Sequence, residues 1–173
     1  GNSAIKGGAL VMETIYPLTI SECTFLNNIV TGDDQFGGAI YLRPKRGSYQ
    51  MENCVITQCT FIGNQASNGH VIYVEEEITT DIFINSTNTF TNNHNQNGEG
   101  SAILFKGQKL QINFPTFSDD INTRFLEFGE GCDVELSGTN FVNCKAKSGD
   151  GNAIKIDLTA TRVTLSDCTF TNC

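Results

Sequence analysis

Gly37-Gly38-Ala39-Ile40-Tyr41 opens an alternating run that closes on Cys59-Thr60-Phe61-Ile62-Gly63-Asn64. The first half recurs as Gly7-Gly8-Ala9-Leu10, Gly69-His70-Val71-Ile72, Gly100-Ser101-Ala102-Ile103 and Gly151-Asn152-Ala153-Ile154. The second half recurs as Cys23-Thr24-Phe25, Asn88-Thr89-Phe90, Thr139-Asn140-Phe141 and Cys168-Thr169-Phe170. The two halves alternate strictly. The glycine starts lie 30, 32, 31 and 51 residues apart, so one copy carries about 20 extra residues. Self-similarity at this period marks a solenoid, in which each copy buries its apolar face only against its neighbours.

Each glycine pair is followed by a predicted short strand with large apolar residues at alternate positions: Leu10/Met12, Ile40/Leu42, Ile72/Val74, Ile103/Phe105 and Ile154/Ile156. Period-2 alternation places them on one face, which we assign to the core. A second strand carries Leu18/Ile20, Cys54/Ile56, Ile82/Ile84, Val134/Leu136 and Val163/Leu165. In a third, Cys23/Phe25, Cys59/Phe61 and Cys168/Phe170 share a face. Asn-rich stretches such as Asn92-Asn93-His94-Asn95 read as turns. Three strands and three corners make one coil, and coils about 4.8 Å apart pair as parallel strands. Phe25, Phe61, Phe90, Phe141 and Phe170 then form an aromatic column, and Asn28, Asn64 and Asn93 a polar ladder. No apolar pattern of helical period appears. The expected fold is all-β: a right-handed single-stranded parallel β-helix of about five to six coils, as one domain over residues 1–173. Residues 106–131 break the rhythm yet hold Phe114, Phe117, Phe125, Leu126 and Phe128, bulky apolar side chains that a flexible polar loop would not need. They either fold back onto the solenoid or add an irregular coil.

Lys plus Arg number 11 and Asp plus Glu 19, a net charge of -8. Nucleic acid binding needs clustered cations and is not expected. No apolar run approaches the roughly 20 residues that span a bilayer, so this segment is not expected to insert in a membrane. The first and last motifs are in register with the repeat across the two ends. The array is therefore expected to continue, by chain or by a neighbouring subunit. Seven cysteines in an Asn-, Thr- and Gly-rich chain suit an oxidising, extracellular setting, and the odd count leaves at least one thiol free or bonded outside the chain.

Gly-Gly-Ala-Ile/Leu paired with Phe-x-x-Asn resembles the repeats of the chlamydial polymorphic outer-membrane proteins. The likeness is closest at Gly7 to Leu10, Gly37 to Ile40, Phe25 to Asn28, Phe61 to Asn64 and Phe90 to Asn93. It departs where Cys144 and Cys173 stand in place of Asn, with Asn143 and Asn172 one place earlier. The resemblance implies a right-handed parallel β-helix displayed at a cell surface, with adhesion as the usual role. It supplies no catalytic residue.

Pectin-degrading enzymes also use parallel β-helices, and glycosidic hydrolysis needs carboxylates at fixed separation. Asp33-Asp34 and His70 are fragments of such a pattern without its partners, so no catalytic residue and no enzyme activity are expected. Glu75-Glu76-Glu77 reads as a solvated corner. The cysteine spacing does not fit zinc, calcium ligand spacing is missing at Asp33-Asp34 and Ser148 to Gly151, and no metal or cofactor is expected. Cys23/Cys59 and Cys144/Cys173 each fall in the disulfide window if coils stack, against which stands the parallel direction of stacked side chains. We read Cys23/Cys59 as buried free thiols and Cys144/Cys173, at a more adaptable corner, as a disulfide. Asn85-Ser86-Thr87 is the only N-glycosylation sequon.

The outward positions of the first strand, Ala9/Val11, Ala39/Tyr41, Val71/Tyr73 and Ala102/Leu104, are apolar. They are expected to form an exposed strip and hence an interface through Val11, Tyr41, Tyr73 and Leu104, unless residues 106–131 cover it. The expected function is a non-enzymatic extracellular structural domain of a surface or filament protein, associating with itself end-on and through that strip. An adhesin binding a receptor or glycan is the alternative, and a polysaccharide-degrading enzyme the second.

Overall fold

The computed structural model describes residues 1–13, 17–31, 35–43, 53–76, 78, 81–85, 87–95, 100–119, 124–146, 151–157 and 159–173. Three six-stranded parallel sheets wrap one axis. The first sheet holds Leu10–Met12, Ile40–Leu42, Ile72–Val74, Ser101–Phe105, Arg124–Phe128 and Ile154–Ile156. The second holds Leu18–Ser21, Cys54–Thr57, Asp81–Ile84, Lys109–Asn113, Asp133–Ser137 and Arg162–Ser166. The third holds Thr24–Leu26, Thr60–Ile62, Thr89–Thr91, Thr116–Ser118, Asn140–Val142 and Thr169–Thr171. Each coil visits the three in turn, so strands adjacent in a sheet come from successive coils. A short pair, Ser3–Ala4 with Ile29–Val30, extends one corner below the first full coil.

Register is set residue on residue. Phe25 pairs with Phe61, Phe61 with Phe90, Phe90 with Phe117, Phe117 with Phe141 and Phe141 with Phe170. Their rings stack at 4.8, 4.7, 4.5, 5.5 and 4.9 Å between centroids. The core is this column together with the inward Ile, Leu and Val of the other two sheets.

The described residues of 106–131 do not fold back; they supply one strand to each of the three sheets. Lys109–Asn113 and Thr116–Ser118 take the second and third sheets, and Arg124–Phe128 returns to the first. The described strands therefore make six coils. Val134/Leu136 belong to the fifth, one turn above Leu110/Ile112, which follow Ile103/Phe105 in the fourth. This coil lacks a glycine start: Arg124 pairs with Ser101 where other coils have Gly8 or Gly38.

The corners explain the glycines and asparagines. The residue after the third strand is left-handed at Asn27, Gly63, Asn92, Asp119, Asn143 and Asn172. Asn143 and Asn172 are thus members of a turn column that Asn27 and Asn92 also occupy. Cys144 and Cys173 extend the neighbouring ladder position. Gly37 is left-handed at φ 65°, and a Cβ on Gly38 would lie 2.0 Å from the His70 carbonyl oxygen of the next coil. The first glycine turns the chain and the second lets coils approach. Between the second and third strands, Glu22, Gln58, Thr87, Phe114, Gly138 and Asp167 are also left-handed. Thr87 and Phe114 are the costly members, at roughly 1–2 kcal/mol each, because a Cβ crowds the following carbonyl there.

The ladder is continuous. Asn28 Oδ1 accepts from Asn2 Nδ2 at 3.1 Å, Asn64 Oδ1 from Asn28 Nδ2 at 2.8 Å, and Asn93 Oδ1 from Asn64 Nδ2 at 3.0 Å. Asn64 and Asn93 also donate to the Phe25 and Phe61 carbonyls. Two coils later, Cys144 and Cys173 occupy the same position and are joined by a disulfide, with Cα atoms 4.4 Å apart.

Burial pushes the Cys54 thiol up to about 12. Its folded value lies above its unfolded one, near 9. The neutral thiol's contribution is complete below pH 9 and declines as pH rises from 9 towards 12. The expected slope is on the order of 1 kcal/mol per pH unit. Urea titrations between pH 8 and 11 should show that decline, and Cys54→Val should flatten it. An unchanged slope in the variant would assign the alkaline loss to other groups.

Candidate functional site

The outer column of the first sheet runs Val11, Tyr41, Tyr73, Leu104, Glu127, Lys155. The exposed strip expected here is corrected by the structure. Val11 is 41% exposed, but Tyr41, Tyr73 and Leu104 are buried in a second small apolar cluster. Phe36, just before Gly37, covers it, with its ring 4.5 Å from that of Tyr73. The Lys6 ammonium lies 5.3 Å over Phe36, and the Arg43 guanidinium 5.9 Å over Tyr41. The Tyr41 hydroxyl donates to the Glu75 carboxylate. The cover over Tyr41 and Tyr73 is therefore Phe36 with these polar arms. Burial, then the nearby Glu75 and Glu76 charges, push Tyr73 up to about 12.

The neighbouring alanine column was also expected outside; Ala9 is exposed, but the column lies inside from the second coil on. Ala39, Val71, Ala102 and Phe125 are buried in the main core. Two consecutive amides, Ala39 and Ile40, donate to one carbonyl, that of Val71, and Phe125 and Leu126 do the same to Ala153. This bulge breaks the alternation and turns the alanine position inward.

Where the outer column becomes charged, a groove of about 380 Å³ opens. Glu76, Lys106, Glu127, Glu130, Lys155 and Asp157 line it, beside Leu104 and Phe128. Glu127 is clamped: Oε2 accepts from Arg124 Nη1 and Oε1 from Lys155 Nζ, each at 2.8 Å. Asp157 accepts from the Thr159 hydroxyl at 2.6 Å and from its amide at 3.0 Å, which hold its carboxyl below the usual range. Fixed charges of both signs beside an apolar wall suit recognition of a polar ligand. Nothing in the sequence pattern marks this groove. It forms because Glu127 and Lys155 stand on the coil without a glycine start and the one after it.

The remaining candidates are scattered. His70 is fully buried and cannot meet a polymeric substrate as it stands. Asp33, Asp34 and Glu77 lie outside the described residues, as do Ser148 to Asp150. Cys54, Cys59 and Cys132 are buried free thiols; Cys23, expected inside, is exposed at the first coil, and Cys168 is half-buried at the last. Among the described residues no three His, Cys, Asp or Glu side chains group closely enough to hold a metal ion. No helix among them is long and apolar enough to cross a membrane.

Asn85 sits at a corner unlike the others. Ile84 pairs with Ile112 and Thr89 with Thr116, so this corner is one residue longer than the next. Buried Asn88 closes its base: Oδ1 accepts from the Cys59 amide and Nδ2 donates to the Ile56 carbonyl, both at 2.9 Å, and also to that of Asn85. The Asn85 side chain is half-buried, and its Oδ1 accepts from Asn113 Nδ2 at 3.4 Å.

Three parallel sheets on one axis, with ladders at the corners, define a parallel β-helix protein. A family model described as a right-handed beta helix region matches residues 7–173, and the chain belongs to that family. Neither curated proteins nor solved structures give a significant match.

Proposed function

We propose that this chain is a non-enzymatic, extracellular structural domain that associates with itself end-on, in the manner of a surface or filament protein such as those its repeats resemble. The observation that supports this reading is the stacking itself: Ile156, Leu165 and Phe170, one from each sheet, sit in register on Phe128, Leu136 and Phe141. The same register lets like coils of separate chains seat on one another through parallel strand pairing. The Cys144–Cys173 disulfide fastens two successive coils to each other. The disulfide and the sequon at Asn85 favour an oxidising, secreted setting.

Sedimentation velocity and negative-stain microscopy test the proposal. The chain should form concentration-dependent linear species, and Leu165→Lys with Phe170→Lys should abolish them while leaving the far-UV circular dichroism intact. A single monomeric species at high concentration would count against it. The charged groove around Glu127 favours a second reading, an adhesin for a polar or glycan ligand. In that case binding on a glycan array should fall with Lys106→Glu, and assembly should not change.

A further inference from the structure

The Asn85 corner carries two aromatic rings that the fold alone does not require. Phe83, on the strand Asp81–Ile84, and Asn85, the residue just after it, are two apart and both partly exposed, with Ile82 and Ile84 buried before and between them. Phe83 is half-buried at the surface. Across the corner, Phe114 stands one coil on, 60% exposed and left-handed at φ 59°. Its ring lies over Gly138 of the next coil, where a Cβ would come within 2.2 Å of it. The equivalent residues in other coils are Glu22, Gln58, Thr87, Gly138 and Asp167, none of them aromatic. An exposed aromatic residue in a left-handed conformation, found at this corner in one coil alone, is an outlier that calls for a functional account beside its packing on Gly138.

The Asn85 side chain is oriented by Asn113, the residue before Phe114. Its Oδ1 accepts from Asn113, leaving Nδ2, the atom that carries a glycan, outside that bond. Asn88 anchors the base of this corner through the Cys59 amide and the Ile56 and Asn85 carbonyls. We propose that Phe83 and Phe114 are a stacking platform for the first N-acetylglucosamine of an N-linked glycan on Asn85. The apolar face of a pyranose lies against an aromatic ring as other apolar groups do, and here it covers ring surface that water otherwise meets. In the transfer, Asn85 Nδ2 bonds to the anomeric carbon of a lipid-pyrophosphate-linked oligosaccharide. The carbon–oxygen bond to pyrophosphate breaks with its electron pair on oxygen, and the amide proton passes to solvent base. The hydrogen bond from Asn113 survives, because the modified amide keeps its oxygen.

This inference rests on the extracellular reading above, and its test separates the two. The full chain is secreted from a eukaryotic host, Asn85 is checked by peptide mapping, and melting is compared with that of Asn85→Gln. Glycosylated protein, including protein trimmed to one N-acetylglucosamine, should melt roughly 2–4 °C higher. The gap should close in a Phe83→Thr, Phe114→Asn background, in which both residues suit their backbone: Thr a strand, Asn a left-handed turn. A modified Asn85 with no gap, or with the same gap in both backgrounds, overturns the platform alone. An unmodified Asn85 overturns the modification and counts against the secreted setting as well.

Discussion

Phe90→Ala is expected to lower stability by about 3–5 kcal/mol, the range for removing a fully buried phenylalanine. Phe90 lies mid-column, stacked on Phe61 at 4.7 Å and on Phe117 at 4.5 Å, and is completely buried. Truncation leaves a void that neither neighbour can fill, because each ring is fixed by its own strand pairing. A solenoid gains its stability from nearest-neighbour interfaces, so the loss falls on the two junctions of the third coil. Phe170→Ala removes the same group from the last coil, where it is 49% exposed, and should cost about 1 kcal/mol. Urea titration followed by circular dichroism compares the two, and hydrogen exchange locates the loss. Equal shifts for Phe90 and Phe170, or protection lost evenly along the chain, would refute a continuous aromatic column as the main support.

Asn64→Leu is the second large effect, again about 3–5 kcal/mol. Asn64 is fully buried at the centre of the ladder. Its Oδ1 accepts from the Asn28 amide at 3.2 Å and from Asn28 Nδ2, while its Nδ2 serves the Phe25 carbonyl and Asn93 Oδ1. Leucine keeps the branched heavy-atom shape but none of the four side-chain bonds; of the partners, Asn93 Oδ1 retains the Asn64 backbone amide at 3.0 Å. Each buried group so orphaned costs roughly 1–3 kcal/mol, less what relaxation and entering water recover. Asn2→Leu, at the exposed foot of the ladder, should cost less than about 1 kcal/mol. If Asn64→Leu were neutral in chemical unfolding, the corner would be held by packing and not by its amides.

Both predictions follow from residues that the repeat made visible in advance. Phe25, Phe61, Phe90, Phe141 and Phe170 recur at a fixed offset from glycine, and only a stacked arrangement brings them together. Phe117 escapes the repeat count because the next coil, opening at Arg124, lacks a glycine start, so that Gly100 is matched with Phe141; yet Thr116-Phe117 has the same Thr-Phe signature as Thr89-Phe90. The eye follows glycine, whereas the backbone needs only a left-handed or extended corner there. The alternation also misled at Ala39 and Ala102. A bulge is a hydrogen-bonding event between coils, and a side-chain pattern of period two does not encode it.

The sequence by itself determined the solenoid, its three-strand coil, the core face of each strand and the asparagine ladder. These are local patterns repeated in order, and repetition forces like onto like. Only the tertiary structure decided how many coils there are, that Phe36 folds over Tyr41 and Tyr73, that Arg124 and Lys155 clamp Glu127, and that Phe114 stands beside the Asn85 corner. Those facts depend on residues from different coils meeting on the outside of the helix. There the spacing along the chain varies from coil to coil, and side-chain reach rather than period sets the contact.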